Sequence, residues 1–365
     1  MNIKSLLLGS AAALVAVSGA RAADAVTVAE PEPAEYVKIC DVYGSGYFYI
    51  PGTETCLRVG GYVRYDATLG NDNSIDGTTT TDRLDGSLNN TWHKNARFEL
   101  KTWTGQETEL GTLKTYTESR FEFGNSNGFS ASAGNKSAKL VYAWMQLGGL
   151  RVGLDDSLYA SLSNYGGSAI QDSAIPYGDQ ASTNLISYVF DAGNGLSAGV
   201  SLEEGSGFAD TIDSYVPHIV AGAKYTQGWG AISGVVAYNS NWEEWAGKIR
   251  VDVNATDQLS LFVMAGYGSD GNSAVNFYKP WNGKWAIWGG ASFKANEKAT
   301  IFGEVQYAAG NTGDWGPSDG SQLVVSAGVA YQVVPGLTVT PEIDYNKFEG
   351  SDAGVGGWLR FQRSF

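Results

Sequence analysis

Two sets of charged residues in this 365-residue chain could act on ions or dipoles. Four aspartates lie in or beside one long predicted loop at 156–183, namely Asp155, Asp156, Asp172 and Asp179. Seven basic residues alternate with other residue types on short segments elsewhere, namely Arg58, Arg64, Arg97, Lys101, Lys114, Arg120 and Arg360. Opposite charges held apart across water create a field that orients dipoles and guides ions. The two sets therefore favour electrostatic selection over bond chemistry.

Catalysis has little support in the sequence. His93 and His218 have no nucleophile or metal-ligand spacing around them. Glu118 and Glu122 are four positions apart, which places them on one face of a strand, and the lining of a polar surface explains them. The glycine-containing stretch 44–46 is too short for a phosphate-binding loop and opens no helix. We therefore expect no enzyme activity, no cofactor and no metal site.

The N-terminus is typical of an export signal. Lys4 is the only charge before an apolar run at 6–17, and Ala20 and Ala22 fit a small-residue cleavage site. The run is shorter than the roughly 20 residues that a helix needs to cross a bilayer. We expect residues 1–22 to be a signal peptide.

Charge and cysteine content narrow the class further. The chain has 24 basic and 38 acidic residues, a formal net charge of -14 at pH 7. Because phosphate binding needs clustered Lys and Arg, we do not expect nucleic acid as a partner. Its two cysteines are Cys40 and Cys56. In an exported chain this spacing is most simply explained by one disulfide.

Alternation of apolar and polar residues predicts sixteen short strands, most of about the 9–11 residues that a tilted strand needs to cross hydrocarbon. They are expected at 57–68, 92–103, 112–123, 138–147, 150–155, 184–191, 195–203, 217–226, 229–238, 244–254, 257–267, 284–293, 298–307, 322–332, 337–347 and 356–365. The connections between them alternate short and long, as in an up-and-down barrel with turns at one end and loops at the other. The last strand ends on Phe365, and closure against another strand would remove its open edge.

The two faces of these strands differ in chemistry. On 257–267, the residues Leu259, Leu261, Val263 and Tyr267 share an apolar face. Aromatic residues end many apolar faces and predict two belts, with Tyr225, Phe293, Tyr331 and Phe365 at one end and Tyr65, Tyr267, Tyr307 and Tyr345 at the other. The opposite face carries the charges, which a dry core could not accommodate. We therefore expect a membrane barrel whose interior is filled with water.

Four segments carry a family resemblance: 39–44, 48–57, 60–65 and 360–365. With the strand pattern, they make the mature chain resemble an outer-membrane general porin of the alphaproteobacterial type. The resemblance implies an all-β transmembrane antiparallel barrel of sixteen strands, with short periplasmic turns and long external loops. It also implies a homotrimer in the bacterial outer membrane, in contact with lipid and lipopolysaccharide, that allows passive diffusion of small hydrophilic solutes and ions.

The same resemblance implies that the third long loop folds into the lumen and narrows it. The four aspartates would then form an acidic side of a constriction, and the seven basic residues would form the wall that faces them. The expected organisation is a signal peptide at 1–22, an N-terminal periplasmic segment with the disulfide at 23–56, and a pore domain at 57–365.

Two other functions remain open at this point. A substrate-selective channel, for a sugar or an ion, would carry a row of aromatic residues down its lumen, and Tyr62, Tyr116, Tyr142 and Trp144 are candidates. A non-conducting structural or adhesive barrel would have a plugged lumen and acidic loops that bind partners or divalent cations.

Overall fold

The computed structural model describes residues 38–125, 132–178, 183–207, 210–310 and 320–365. The predicted signal peptide at 1–22 and Asp179 lie outside the described residues. The chain divides into two units, residues 1–38 and residues 39–365, and the second unit contains all the elements below. Within the described ranges, no helix is both long enough and apolar enough to cross a membrane.

The described residues form twenty strands and one short helix. The strands are β1 (Phe48–Tyr49), β2 (Cys56–Gly70), β3 (Thr78–Thr81), β4 (Leu88–Thr91), β5 (His93–Thr108), β6 (Gly111–Asn125), β7 (Ala133–Asn135), β8 (Lys139–Leu147), β9 (Leu150–Asp155), β10 (Thr183–Asp191), β11 (Leu196–Glu204), β12 (His218–Gln227), β13 (Gly230–Asn239), β14 (Glu244–Asn254), β15 (Leu259–Gly268), β16 (Trp285–Lys294), β17 (Ala299–Ala308), β18 (Gln322–Val334), β19 (Leu337–Phe348) and β20 (Gly354–Ser364). The helix is α1 (Leu158–Ser161).

Sixteen of these described strands make one closed antiparallel barrel. Each long strand pairs with the next along the chain, and β20 pairs with β2 in a register that runs from Tyr62 opposite Ser364 to Gly70 opposite Gly356. Phe365 and Gly61 exchange two backbone hydrogen bonds of 3.1 Å at the seam. The chain terminus is therefore paired, and the predicted sixteen-stranded antiparallel barrel is confirmed.

Four short strands were not predicted. The strands β3 and β4 pair only with each other, as a hairpin in the first long connection. The strands β1 and β7 extend the barrel sheet beside β2 and β6. The long wall strands themselves begin and end within a few residues of their predicted limits.

Strand alternation places apolar residues on the outside of the barrel. On β15, Val263 is 62% exposed and Tyr267 is 46% exposed, whereas Phe262 and Met264, which flank Val263, are buried inside. Because side chains of a strand point alternately to its two faces, this pattern creates an outer surface suited to lipid. At the loop end of the barrel, outward rings pair as Trp245 with Tyr267 and Trp285 with Tyr307, at 5.7 and 5.5 Å.

The disulfide holds the chain segment before β2 at the turn end of the barrel. Cys40 and Cys56 are bonded, with their Cα atoms 6.0 Å apart, so the predicted disulfide is confirmed. The Tyr43 hydroxyl donates to Glu107 at 3.0 Å. The Tyr43 ring lies against Gly105, where an added Cβ would approach it to 2.6 Å. Glycine at 105 therefore makes room for this segment beside the mouth of the barrel.

Candidate functional site

Loop 3, the connection between β9 and β10, enters the barrel and is described over residues 156–178. Its first turn is α1, where the Ser157 hydroxyl accepts from the Tyr159 amide at 3.1 Å. Leu158, Tyr159 and Ala160 of this helix are buried. The inward fold predicted for the third long loop is therefore what the structure shows.

One buried carboxylate fixes the beginning of loop 3. Glu203, on the inner face of β11, accepts from the Ser157 hydroxyl at 2.6 Å and from the Leu158 amide at 2.9 Å. It also accepts from the Tyr278 hydroxyl at 2.9 Å. Glu203 thus satisfies donors that would otherwise be buried without partners, and it joins two loops to the wall.

Three more wall side chains bind the backbone of loop 3 further along. Glu304 on β17 accepts from the Gly167 amide at 3.1 Å, and Glu342 on β19 accepts from the Gln171 amide at 2.9 Å. The Ile175 amide donates to Gln306 on β17 at 2.7 Å. Since these partners lie on strands from β11 to β19, the loop follows the inner wall across a large part of its circumference.

Apolar contacts reinforce these hydrogen bonds. One cluster packs α1 against inner-face residues of β12 to β14 and includes Leu158, Tyr159, Leu162, Val220, Val235, Ala237 and Ala246. A second cluster packs the end of the described part of the loop against β15 to β18 and includes Ile175, Tyr177, Phe262, Met264, Trp288 and Val324. The interior is therefore packed with side chains where loop 3 lies, whereas the sequence predicted an interior filled with water.

A second loop supports the first. Loop 6, the connection between β15 and β16 at 269–284, buries Phe277, Tyr278 and Trp281 beside loop 3. Lys279 is fully buried and donates to the carbonyls of Trp281 and Gly283 at 3.1 and 2.9 Å. Burial lowers the pKa of Lys279 to about 8, because desolvation disfavours the charged ammonium.

The predicted aspartates take separate positions along loop 3. Asp155, at the end of β9, pairs with Arg151 at 2.5 Å. Asp156 accepts from the Tyr142 hydroxyl at 2.9 Å. Asp172 accepts from the Tyr177 hydroxyl at 3.3 Å, further along the loop. The structure thus places these three on loop 3 or at its base but does not gather them into one cluster.

Four of the predicted basic residues meet at one place on the wall. Arg64, Arg97, Arg120 and Arg360 line a cavity of about 490 Å³ on β2, β5, β6 and β20. We call this cavity the basic recess. Lys136 and Lys139, which the sequence reasoning missed, line it as well.

Most of these cations form ion pairs with carboxylates on the same wall. The ion pairs are Arg97 with Glu122 at 2.8 Å, Arg120 with Glu99 at 2.9 Å, and Arg360 with Asp66 at 2.7 Å. Lys101 lies 3.0 Å from both Glu99 and Glu118. Arg64 instead donates to the side-chain oxygen of Gln362 at 2.8 and 2.6 Å. The basic wall is therefore a ladder in which cations and carboxylates alternate.

Arg58 and Lys114 are not part of the basic recess. Each lies six residues before a recess residue on its own strand, Arg58 before Arg64 on β2 and Lys114 before Arg120 on β6. At about 3.3 Å per residue, that separation is roughly 20 Å along each strand. Both therefore lie near the turn end.

Sequence reasoning also missed the side chains that hold loop 3. Glu203, Glu304 and Gln306 were not among the candidate residues, and the strand pattern predicted loop 6 only as an external connection. Two signals could have indicated them. Apolar residues such as Met264 and Trp288 occupy inner-face positions of β15 and β16, and loop 6 is rich in aromatic residues. An apolar inner face in a wide barrel needs another element to cover it.

Sequence comparison gives relatives that match from end to end. A family model described as Porin subfamily matches residues 24–361. Two relatives are porin Omp2b of Brucella neotomae and porin Omp2b of Brucella abortus (strain 2308), each 50% identical to this chain. Each alignment spans 384 residues and covers 100% of this chain and 100% of the relative.

Solved structures match the fold. The outer membrane channel DcaP of Acinetobacter baumannii has a TM-score of 0.66 and 16% identity, covering 87% of this chain and 99% of that chain. A mutant of the Rh. blastica porin has a TM-score of 0.56 and 13% identity, covering 85% of this chain and 100% of that chain. Together with the closed barrel and its inward loop, the full-length relatives show that this chain belongs to the Porin subfamily and is a bacterial outer-membrane porin.

Proposed function

We propose that the chain forms a water-filled channel in which small hydrophilic solutes and ions diffuse past a charged constriction. The observation that carries this proposal is the anchoring of loop 3 along the inner wall, from Glu203 on β11 to Glu342 on β19. The loop covers one side of the lumen, and the basic recess lies on strands outside that range. Family membership implies a channel, and we propose that the protein has no enzymatic activity.

We propose that the two sides carry predicted site charges of opposite sign. Asp155, Asp156 and Asp172 belong to loop 3 or its base, and the predicted Asp179 lies outside the described residues. The opposite side carries Arg64, Arg97, Arg120 and Arg360, with Lys101 just below them. A transverse field between the two sides would order water and orient dipolar solutes, and it would let each ion follow the wall of opposite charge.

Replacing one recess cation should change ion selectivity. Arg64 is the best choice because its hydrogen-bond acceptor is an amide, so Arg64→Gln leaves no carboxylate without its ion-pair partner. We expect the cation-to-anion permeability ratio to rise roughly twofold, because a charge at the narrow part of a pore acts most strongly on selectivity. Reversal potentials in a potassium chloride gradient measure this ratio.

Lys298→Gln removes the same charge at an exposed turn between β16 and β17 and serves as the control. Equal shifts in reversal potential for the two variants would argue against a constriction at the recess.

We further propose that three copies assemble through the outer faces of β2, β5 and β6. Threonine pairs lie on this surface, Thr102 with Thr117 and Thr104 with Thr115, each at 2.6 Å. The exposed Phe98 ring stacks on Phe121 nearby. Small and polar residues pack better against a protein surface than against lipid.

The proposed contact predicts different outcomes for two outward arginines. Thr115→Arg should dissociate trimers on a native gel while the barrel still inserts. Val263→Arg, on β15, should instead impair insertion, because an arginine at the bilayer midplane costs about 2–4 kcal/mol. The same defect in both variants would contradict this placement of the contact.

The roles of the N-terminal residues and the lipid surroundings of the barrel are also proposals. We propose that residues 1–22 are a signal peptide and that residues 23–56 form a periplasmic segment before the pore domain at 57–365. We also propose that outer-membrane lipid and lipopolysaccharide surround the barrel, since long external loops and an apolar outer face suit that setting.

A further inference from the structure

Three aromatic side chains form a row at one level of the inner wall. Trp103 on β5 is opposite Tyr116 on β6, and Tyr116 is opposite Trp144 on β8. Their ring centroids are 5.4 and 5.6 Å apart. All three rings are half-buried, so each keeps part of its surface open to the lumen. We call these residues the aromatic row.

A guanidinium group lies at each end of the aromatic row. Arg58 on β2 is 4.7 Å from the centroid of Trp103, and Arg151 on β9 is 4.1 Å from the centroid of Trp144. Arg151 is held by Asp155 at 2.5 Å and by Gln146 at 2.7 Å. Its charge is therefore neutralised locally.

Arg58 is in a different situation. Its side chain is exposed, and so is that of Lys114, which lies two residues before Tyr116 on the same face of β6. In the described part of the chain, neither Arg58 nor Lys114 forms an ion pair with a carboxylate. The end of the row at β2 therefore presents positive charge beside aromatic surface.

The wall beside the other end of the row leaves space for a molecule. A cavity of about 620 Å³ lies under α1 and is lined by Arg151, Leu158, Leu185 and Ser187, among others. Gly153, opposite Trp144, lets the backbones of β8 and β9 approach closely here, since an added Cβ would lie 2.3 Å from the Ala143 carbonyl oxygen. Ligand sites typically combine such aromatic and apolar surface with a few polar groups.

We propose that the aromatic row and Arg58 form a binding site for aromatic carboxylates in the periplasmic half of the pore. The aromatic ring of the ligand would stack on the rings of the aromatic row and on the neighbouring guanidinium groups. The carboxylate of the ligand would receive two hydrogen bonds from Arg58. Lys114 adds a second positive charge nearby. A neutral aromatic molecule would lack the ion pair, and a small carboxylate would lack the stacking surface.

The position of the site fits a route along one wall. Arg58 is on the same strand as Arg64, and Lys114 is on the same strand as Arg120, in each case about 20 Å away along the strand. An anion that passes the basic recess would meet the aromatic row next. This inference rests on the proposed channel function, because the ligand reaches the row through the lumen.

The test uses the full mature protein and measures binding and current separately. Saturation-transfer NMR on detergent-solubilised protein would compare benzoate with acetate and benzyl alcohol. In planar bilayers, benzoate on the periplasmic side should block the current in a concentration-dependent way. We expect Arg58→Gln and the double variant Trp103→Leu/Trp144→Leu each to weaken benzoate binding about tenfold, since each removes a charge-assisted or a stacking contact. Lys298→Gln should bind benzoate as the unchanged protein does.

The outcomes separate this inference from the channel proposal. Equal NMR signals for benzoate, acetate and benzyl alcohol would overturn the site, and so would benzoate binding that survives both sets of substitutions. Folded, inserted protein that carries no current would overturn the channel proposal, while the NMR comparison would still decide whether the site exists. Heat-dependent migration on gels would confirm that each variant is folded.

Discussion

A variant with loop 3 shortened, in which a brief Gly-Ser linker replaces residues 159–176, should conduct roughly twice the current per pore. It should also admit larger solutes. The barrel strands close on one another without help from loop 3, so the wall should remain intact. The loop is the element that occupies the lumen between β11 and β19, and its removal widens the path for water.

The same variant should be less stable, because it uncovers apolar inner-face side chains such as Val235, Met264 and Trp288. Single-channel recording and liposome swelling with sugars of increasing size would measure the two effects on permeation. Shortening the exposed turn of the β3–β4 hairpin at 82–87 is the matched control and should leave both unchanged. Unaltered conductance in the loop 3 variant would show that the loop does not limit the pore.

Replacing Glu203 by alanine should release loops 3 and 6 together. The change removes the acceptor for the Ser157 hydroxyl, the Leu158 amide and the Tyr278 hydroxyl, all of them buried. Leaving buried donors without an acceptor costs about 1–3 kcal/mol each, so for three donors we expect the docked state to lose about 3–9 kcal/mol. The current should then fluctuate as the loops move in and out of the lumen.

Glu203→Gln is the matched variant, since it keeps the size of the side chain and one acceptor oxygen. It should cause a smaller loss and less current noise than Glu203→Ala. Noise spectra and urea unfolding in detergent would compare them. Steady current and unchanged unfolding in Glu203→Ala would contradict the role given to this carboxylate.

The barrel wall was predictable because the alternation of apolar and polar residues in each strand shows which side chains lie on each face. The strand predicted at 257–267 is Leu259–Gly268 in the structure, and its alternation places Val263 and Tyr267 outside. Strand number and closure followed from the same local signal, repeated along the chain. The short strands β1, β3, β4 and β7 lack that signal, since two to four residues carry no measurable period.

The site was only partly predictable because a period of two gives the face of a residue but not its level in the pore. Arg58 and Arg64 share a face, yet the register sets Arg58 opposite Trp103 and Arg64 opposite Arg97. The fold of loop 6 was missed for another reason. Its aromatic residues are buried by contacts with loop 3 that are distant in sequence, and aromatic content alone does not say what covers them.

The most direct test of the account is single-channel recording from the refolded mature protein in a planar bilayer, under a salt gradient. Conductance steps that occur in groups of three and rise nearly linearly with salt would establish an open trimeric diffusion pore. The reversal potential would then show which charged wall dominates. Protein that is folded and inserted but gives no conductance steps would contradict the account and indicate a plugged, structural barrel.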